Sequence, residues 1–342
     1  MLYYPRMRPS HEPVYRPIIR EAFRVAWAEK HYWLVAAFAG LLLTGSIYDV
    51  VWKSLNVLAP QAGIIGTVAI FSSRASATWA ELSTANLVIG GLQVLVMTLF
   101  GIVIGFALLA ASVIAQSALV FSIGMKRNGE QHRVRTALNV GARALWPVLA
   151  LNLIAIAVMF ASRAVIGIAL SFLLAYGDAF AFLAYLFAFI LFTVIGGATA
   201  IIEILALNAM ILQGATLAQA IERGVMILKR NWVIAVETAV FLFLISFGAL
   251  ILFFTVGMIL TFMSVILVFV AFAAEATFIA SAIAVLYFLT IAALMLALFG
   301  FTVHVHYASW TLLYRRLGEG GVVPKLHRMI RSWVHAYSVK GA

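Results

Sequence analysis

The sequence contains no cysteine, which excludes disulfide bonds, thiolate metal sites and cysteine nucleophiles. Charged residues are also scarce, at 10% of the chain, whereas an ordinary soluble domain has about 25%. The chain is instead rich in apolar residues: 65% of its 342 residues are hydrophobic, and Phe alone occurs 25 times. So much apolar surface excludes both a disordered chain and a soluble domain. We expect an integral membrane protein.

Common catalytic motifs are missing from the sequence. It has no Gly-rich phosphate loop ending in Lys-Ser or Lys-Thr, no His-Glu-x-x-His zinc helix and no Gly-x-Ser-x-Gly elbow. The nearest pattern to a metal site is His304-x-His306, but residues two apart on a helix point about 200° away from each other. We expect one histidine to pack among helices and the other to lie near the membrane interface. The sequence therefore predicts no enzyme, no metal and no cofactor.

Long apolar stretches define the fold class. A membrane-spanning helix needs about 20 mainly apolar residues, because the hydrocarbon core is about 30 Å thick. The sequence predicts an all-α, polytopic membrane helix bundle with six spans, near residues 33–52, 87–111, 146–174, 180–212, 233–254 and 280–312. An extended arm, 1–17, precedes this domain, which covers 18–317, and a basic amphipathic tail, 318–342, follows it.

The basic residues predict the orientation. When the ends and connections between spans are assigned to alternate sides, all 23 Lys and Arg residues except Lys53, Arg74 and Arg163 fall on one side. Cytoplasmic loops are enriched in Lys and Arg, so both termini are predicted to be cytoplasmic. The net charge of +11 reflects this bias and not nucleic-acid binding, because there is no soluble domain to present a groove.

One further segment, 256–274, is apolar enough to be a seventh span. An odd number of spans would put the basic C-terminal tail outside, so we interpret this segment as non-crossing. It is either an outer extension of the fifth helix, broken near Gly257, or a segment that dips into the membrane and returns, buried against protein.

A short pattern recurs before three of the predicted spans. A small residue, a large apolar residue, two variable residues and a second small residue precede a Trp, at 22–26 before Trp33, 137–141 before Trp146 and 220–224 before Trp232. Each copy is amphipathic, which predicts a helix lying in the inner interface. Three hairpin units, each with an interfacial helix and two spans, account for six crossings. The alternative is that any helix beside a membrane has this pattern.

Three motifs resemble one known membrane family. They are Glu21-Ala22-Phe23-Arg24 followed by Trp33, the segment 217–232 ending in Lys229-Arg230-Asn231-Trp232, and Trp310-Thr311-Leu312-Leu313-Tyr314. Together they resemble the membrane domain of bacterial glycerophosphoryl diester phosphodiesterases and its stand-alone relatives, over residues 17–317. The resemblance implies a six-helix domain of the bacterial inner membrane, concerned with lipids or membrane maintenance. The catalytic barrel of that family is absent, so the resemblance implies no catalytic residue.

Polar residues inside the spans are the candidate site. Each charged group costs on the order of 2.5 to 3.5 kcal/mol at the centre of a spanning helix, so it tends to face protein or water. The candidates for one polar pocket, all in the cytoplasmic half, are Glu203, Glu237, His304, Asn152, Gln116 and Asn208. The alternative is a set of separate helix–helix hydrogen bonds, each contributing about 0.6 kcal/mol. Glu203 is the first candidate.

The C-terminal tail predicts a basic amphipathic helix on the inner leaflet. Cations near the surface each add about 1 kcal/mol with anionic lipid. The predicted headgroup contacts are Lys325, Arg328, Arg331, Arg315 and Arg316. Docking of the tail onto inner loops of the protein is the alternative, and the sequence leaves open a homo- or hetero-oligomer.

The expected function is non-enzymatic, in lipid handling or membrane organisation. The alternative is a carrier or permease, proton-coupled through Glu203 or Glu237.

Overall fold

The structure, a computed structural model, describes residues 15–43, 87–126 and 133–319. All regular elements in these ranges are helices, which confirms the predicted all-α fold. In chain order they are α1 (Tyr15–Ala28), a short 3-10 helix (Lys30–Tyr32), α2 (Trp33–Ala39), α3 (Leu87–Lys126), α4 (Val134–Arg143), α5 (Leu145–Tyr176), α6 (Ala179–Gln213), α7 (Leu217–Ala273) and α8 (Thr277–Glu319).

Five of these helices, α3 and α5 to α8, are long and apolar enough to cross a membrane. They indicate a multi-pass integral membrane protein. Of the predicted span 33–52, only the part up to Leu43 lies within the described residues, where α2 ends at Ala39. The predictions of six spans and three hairpin units therefore fall partly outside the described residues.

Residues 256–273 of the segment 256–274 belong to α7, so the segment does not dip in and return. α7 runs for 57 residues, and its one point of non-helical backbone is Asn231, with φ −131° and ψ 32°. The predicted break near Gly257 is therefore wrong. In apolar surroundings every backbone N–H and C=O must pair within the helix, so a glycine alone is not enough to interrupt it.

The start of α1 also differs slightly from the predicted arm 1–17. The helix begins at Tyr15, so Pro17 lies in its first turn. Proline is tolerated there because the first N–H groups of a helix have no intrahelical acceptor. The rest of the arm and the tail from 320 onward lie outside the described residues.

All three copies of the recurring pattern lie on helices: 22–26 on α1, 137–141 on α4 and 220–224 on the first part of α7. The kink at Asn231 separates this first part from the apolar remainder of α7 and directly precedes Trp232. The Thr216–Gln219 capping box starts the helix: the Thr216 N–H donates to Gln219 Oε1 at 3.3 Å. The amphipathic part of α7 thus begins and ends at defined points.

Small residues of these amphipathic segments pack against long helices. Ala137 and Gly141 of α4 are buried, and a Cβ on Gly141 would collide with the Ile114 carbonyl oxygen of α3. On the first part of α7, a Cβ on Gly224 would lie 3.0 Å from the Ile202 carbonyl oxygen of α6. Such small residues permit two helix backbones to approach closely.

The first amphipathic helix, α1, packs against the last helix, α8. Ala22 and Ala26 are fully buried, and the Phe23 ring lies edge-on to Phe301 with centroids 5.6 Å apart. Two amphipathic segments therefore pack on the long helix that precedes them in the chain, while α1 packs on the long helix at the end of the described chain. We call this pattern the cyclic packing.

The core is concentrated in one half of the bundle. We call this the basic half; it contains α1, α4, the first part of α7 and the last turns of α8. Residues 302–314 of α8 are all buried, whereas Phe278 at the other end of the same helix is 84% exposed. In the other half, α5 packs on α6 and α7 on α8, with connections at Gly177–Asp178 and at Glu275. Apolar exposure of this kind is expected where lipid covers the protein.

Candidate binding site

A cavity of about 970 Å³ lies among α3, α5, α6, α7 and α8. This volume is at the upper end of the range of about 300 to 1,000 Å³ that is typical of small-molecule sites. Along α6 its lining extends from Phe192 to Leu207, a distance of about 22 Å at 1.5 Å per residue. Most of the lining is apolar. Six polar side chains from four helices line it: Gln116, Asn152, Thr193, Glu203, His306 and Tyr307.

A pair of amides joins α3 to α5 beside the cavity. Asn152 Nδ2 donates to Gln116 Oε1 at 3.1 Å, and Gln116 Nε2 donates to Asn152 Oδ1 at 3.4 Å. Asn152 Nδ2 also donates to the Val148 carbonyl oxygen at 2.9 Å. Both amides are buried. They are satisfied mainly by each other, as buried polar groups must be.

Tyr307 and Glu203 also line the cavity, close to this amide pair. The Tyr307 hydroxyl is fully buried and close enough to Glu203 and Gln116 to interact with both, yet it makes no hydrogen bond of normal geometry with the described residues. Glu203 is half-buried and faces no cationic group in the described part of the chain. No Lys or Arg lines the cavity within the described ranges. The site therefore has a carboxyl group with no Lys or Arg of the described residues in the lining, and a buried hydroxyl beside it.

Polar and apolar groups are segregated along the cavity. Glu203 lies near the basic half, whereas Phe192, Thr193 and Val194 lie two to three turns away on the same helix. The Thr193 hydroxyl donates to the Phe189 carbonyl oxygen of its own helix at 2.9 Å. Val194 is 62% exposed, and on α7 Val240 is 53% and Trp232 61% exposed, so the lining reaches the bundle surface. The cavity thus opens sideways between α6 and α7, where membrane lipid would lie.

Three of the six predicted pocket residues line the cavity: Gln116, Asn152 and Glu203. Asn208 instead donates to the Ile204 carbonyl oxygen of its own helix at 2.7 Å. Glu237 is not among the lining residues, although Val236 is. Neighbouring residues on a helix differ in direction by about 100°, so Val236 and Glu237 face different ways.

His304 lies on the opposite side of α8 from the cavity. Its Nε2 is 3.8 Å from a carboxylate oxygen of Glu29, and its ring centroid is 6.2 Å from that of Tyr32. His306 takes the predicted place of His304 in the lining. Both histidines are buried in the core of the basic half, and the expectation that one of them lies near the membrane interface stays a prediction.

Sequence reasoning missed two residues of the site, His306 and Tyr307. The available signal was the spacing of His306, Tyr307 and Trp310, which share one side of α8 and all line the cavity. An aromatic or a histidine in an apolar helix usually packs in a core, so composition alone gave no reason to single these residues out.

The predicted headgroup contacts lie only partly within the described residues. Arg315 Nη1 donates to the Gly124 carbonyl oxygen at 2.6 Å, so this side chain binds the protein's own α3. Arg316 is half-buried at the end of α8. Lys325, Arg328 and Arg331 lie outside the described residues.

In the described ranges, no three His, Asp or Glu side chains come together to hold a metal ion. Comparisons with known protein families, curated protein sequences and solved structures found no match to the chain. The resemblance to the phosphodiesterase membrane domain therefore stays a prediction from sequence motifs. The cavity and its polar lining are the features from which a function can be inferred.

Breaking the amide pair between Gln116 and Asn152 is expected to lower the stability of the protein. Asn152→Leu leaves the buried Gln116 amide without its partner, and Gln116→Leu does the reverse. Each single change is expected to lower the free energy of unfolding by about 1 to 3 kcal/mol. The double variant is expected to lose less than the sum, with a coupling of about 0.6 kcal/mol and at most about 1.7. Denaturant unfolding in mixed micelles measures all four proteins.

Asn139→Leu is the control for this cycle, because Asn139 is exposed on α4. Its effect is expected to stay within about 0.5 kcal/mol. If the double variant lost as much free energy of unfolding as the two single variants together, the pairing of Gln116 and Asn152 would be contradicted.

Proposed function

We propose that this protein is a non-enzymatic membrane protein that binds one lipid-like amphiphile in the cavity and acts in lipid handling. The observation that supports this is the segregation of the cavity: Gln116, Asn152, Glu203, His306 and Tyr307 meet at one end of a mostly apolar space. An amphiphile matches both parts, with its tail on the apolar walls and its headgroup at the polar end. The sideways opening gives such a molecule a route from the surrounding bilayer.

The carrier alternative has weaker support. It assigns proton coupling to Glu203 or Glu237, and of these two carboxylates only Glu203 lines the cavity. A binding site for an amphiphile needs one polar end and one apolar end, and the lining of the cavity supplies both. We therefore favour lipid handling over transport of a water-soluble substrate.

The membrane placement is part of the proposal. We propose six spans in three hairpin units, with both termini in the cytoplasm of a bacterial cell and the tail on anionic lipid. The cyclic packing supports three equivalent units, because each amphipathic segment meets a long helix through small residues. The basic residues of α4, the first part of α7 and the end of α8 support the orientation, because they share one half of the bundle.

Filling the cavity tests the binding function. Gly197 lines the cavity, and a Cβ placed on it meets nothing within 4 Å, so Gly197→Phe adds a ring to the space without a backbone clash. The amount of lipid that co-purifies with the protein is expected to fall by about tenfold, which corresponds to about 1.4 kcal/mol. Native mass spectrometry of protein released from mild detergent measures the bound lipid per chain.

The matched control is Gly248→Phe on α7. Gly248 is exposed, meets nothing within 4 Å and does not line the cavity. This variant is expected to retain the lipid of the unmodified protein. Equal lipid content in the Gly197→Phe and Gly248→Phe variants would contradict binding in the cavity.

A further inference from the structure

The cavity contains one acidic side chain without a compensating charge. Glu203 lies on a span and faces the cavity, and no Lys or Arg of the described residues lines that space. His306 lines it too, as a buried imidazole on α8. A charged side chain costs on the order of 2.5 to 3.5 kcal/mol at the centre of a spanning helix, and a cation beside it offsets that cost.

Aromatic rings accompany this carboxylate. Tyr307 is buried beside Glu203, and Trp310 follows it by one turn of α8 on the same side of the cavity. Trp232 of α7 contributes a third ring to the lining. The faces of aromatic rings attract organic cations by about 0.5 to 2 kcal/mol, and such rings are the usual recognition element for alkylated ammonium groups.

The remaining polar groups add no positive charge. The Gln116 and Asn152 amides are paired with each other, and the Tyr307 hydroxyl is the buried polar group beside Glu203 that makes no hydrogen bond of normal geometry with the described residues. An anionic headgroup at this end of the cavity would meet Glu203 with no described cation to offset the repulsion. A headgroup with a positive nitrogen would find a carboxylate and aromatic rings together.

We infer that the amphiphile bound in the cavity carries an ammonium headgroup, which lies against Glu203, Tyr307 and Trp310 while its alkyl chain runs along α6 toward Phe192. This inference rests on the proposed function, because it needs the cavity to hold an amphiphile. It adds the chemical class of the ligand and assigns the discrimination between headgroups to Glu203. The shared chemistry is an ammonium group on a long alkyl chain, whether it belongs to a phospholipid or to a free amine.

Two phospholipids with the same acyl chains test the inference. Phosphatidylethanolamine has an ammonium group, and phosphatidylglycerol has the same phosphate with hydroxyl groups instead. Delipidated protein in a maltoside detergent is titrated with each lipid and followed by native mass spectrometry. The ethanolamine lipid is expected to bind about tenfold more tightly, which is 1.4 kcal/mol in favour of the ammonium group.

Two variants locate this preference. Glu203→Gln keeps the shape of the side chain and removes its charge, so the preference is expected to fall to within about twofold while phosphatidylglycerol binds as before or more tightly. Glu203→Asp keeps the charge and is expected to keep the preference. Glu237→Gln, which changes a carboxylate outside the lining, is the matched control and is expected to behave as the unmodified protein does.

A second pair of probes separates the two sources of the headgroup. Dodecylammonium binding more tightly than dodecanol would show that the ammonium group suffices without a phosphate. A preference confined to the phospholipid pair would identify a phospholipid as the source. Either result supports the inference, provided that the preference is lost in Glu203→Gln.

The outcomes also separate this inference from the proposed function. If the unmodified protein binds neither phospholipid and neither single-chain probe, the proposed function is wrong and the inference falls with it. If it binds both phospholipids equally, and dodecylammonium no better than dodecanol, the cavity still binds amphiphiles but the inference is overturned. A preference that survives in Glu203→Gln also overturns it. The comparison within the unmodified protein needs no variant to fold.

Discussion

Replacing Gly300 by alanine is expected to lower the free energy of unfolding by about 3 kcal/mol, at the upper end of the usual cost of overpacking a core. Gly300 is a buried residue of α8, and a Cβ there would collide with the carbonyl oxygen of Trp33 and lie 2.9 Å from its carbonyl carbon. Both are backbone atoms, so no change of rotamer relieves the contact. The start of α2 and α8 would have to move apart.

The damage is expected to reach the neighbouring contacts. Phe301 packs against Trp27 and Trp33, with ring centroids 6.0 and 5.6 Å apart, and His304 lies beside Glu29. Chemical or thermal unfolding in detergent, followed by circular dichroism, gives the stability. Tryptophan fluorescence, to which Trp27 and Trp33 contribute two of the eight Trp residues, gives a second probe of the same transition.

Gly105→Ala is the control for this prediction. Gly105 is an exposed residue of α3, and a Cβ there meets nothing within 4 Å. Alanine favours a helix over glycine by about 1 kcal/mol, so this variant is expected to be neutral or slightly stabilised. If Gly300→Ala proves as stable as Gly105→Ala, the close contact between α8 and the start of α2 is not present in the folded protein.

The second large loss of stability is expected where the amphipathic segments pack on the long helices, in the cyclic packing. Gly141→Val and Gly224→Val each place a branched side chain between an amphipathic segment and a long helix. A Cβ on Gly141 would collide with the Ile114 carbonyl oxygen, whereas one on Gly224 would lie 3.0 Å from the Ile202 carbonyl oxygen. Both variants are expected to lose about 1 to 3 kcal/mol, and Gly141→Val to lose more.

Thermal unfolding of the purified proteins gives the order of the two variants. The matched control is Gly248→Val, at an exposed position of α7 where a Cβ meets nothing within 4 Å. Valine is a poorer helix former than alanine but a better one than glycine, so the control is expected to change little. If all three variants behaved alike, the small residues of the recurring pattern would have no role in packing.

The sequence predicts the extent of two of the five long helices closely, because an apolar run of membrane length has few other stable forms in lipid. α5 and α6 begin and end within two residues of their predicted spans. α3 and α8 run past their predicted ends, residues 111 and 312, to Lys126 and Glu319. α7 continues through Gly257, where the prediction separated 233–254 from 256–274. Glycine lowers the helix propensity at its position, but a helix ends there only if its backbone N–H and C=O groups have other hydrogen-bond partners.

The site was less predictable than the helices. Gln116, Asn152 and Glu203 stand out because polar side chains are rare in spans, and a span can be read directly from composition. The direction in which a side chain points depends on how each helix is rotated within the bundle, which composition does not contain. His304 and His306 show this limit: the sequence predicts that they face apart and names His304 for the pocket, whereas His306 is the one that lines the cavity.

The packing of α1 on α8 has a consequence for biosynthesis. α1 leaves the ribosome before every other described helix, while its partner is made after all of them. Domains generally begin to fold from the N-terminal end during translation. The face of α1 that carries Ile18, Ala22 and Val25 must therefore wait until residues 277–319 have been made before it finds its binding surface. Nascent chains arrested before residue 277 would lack that surface, and would expose α1 to proteases that the finished protein resists.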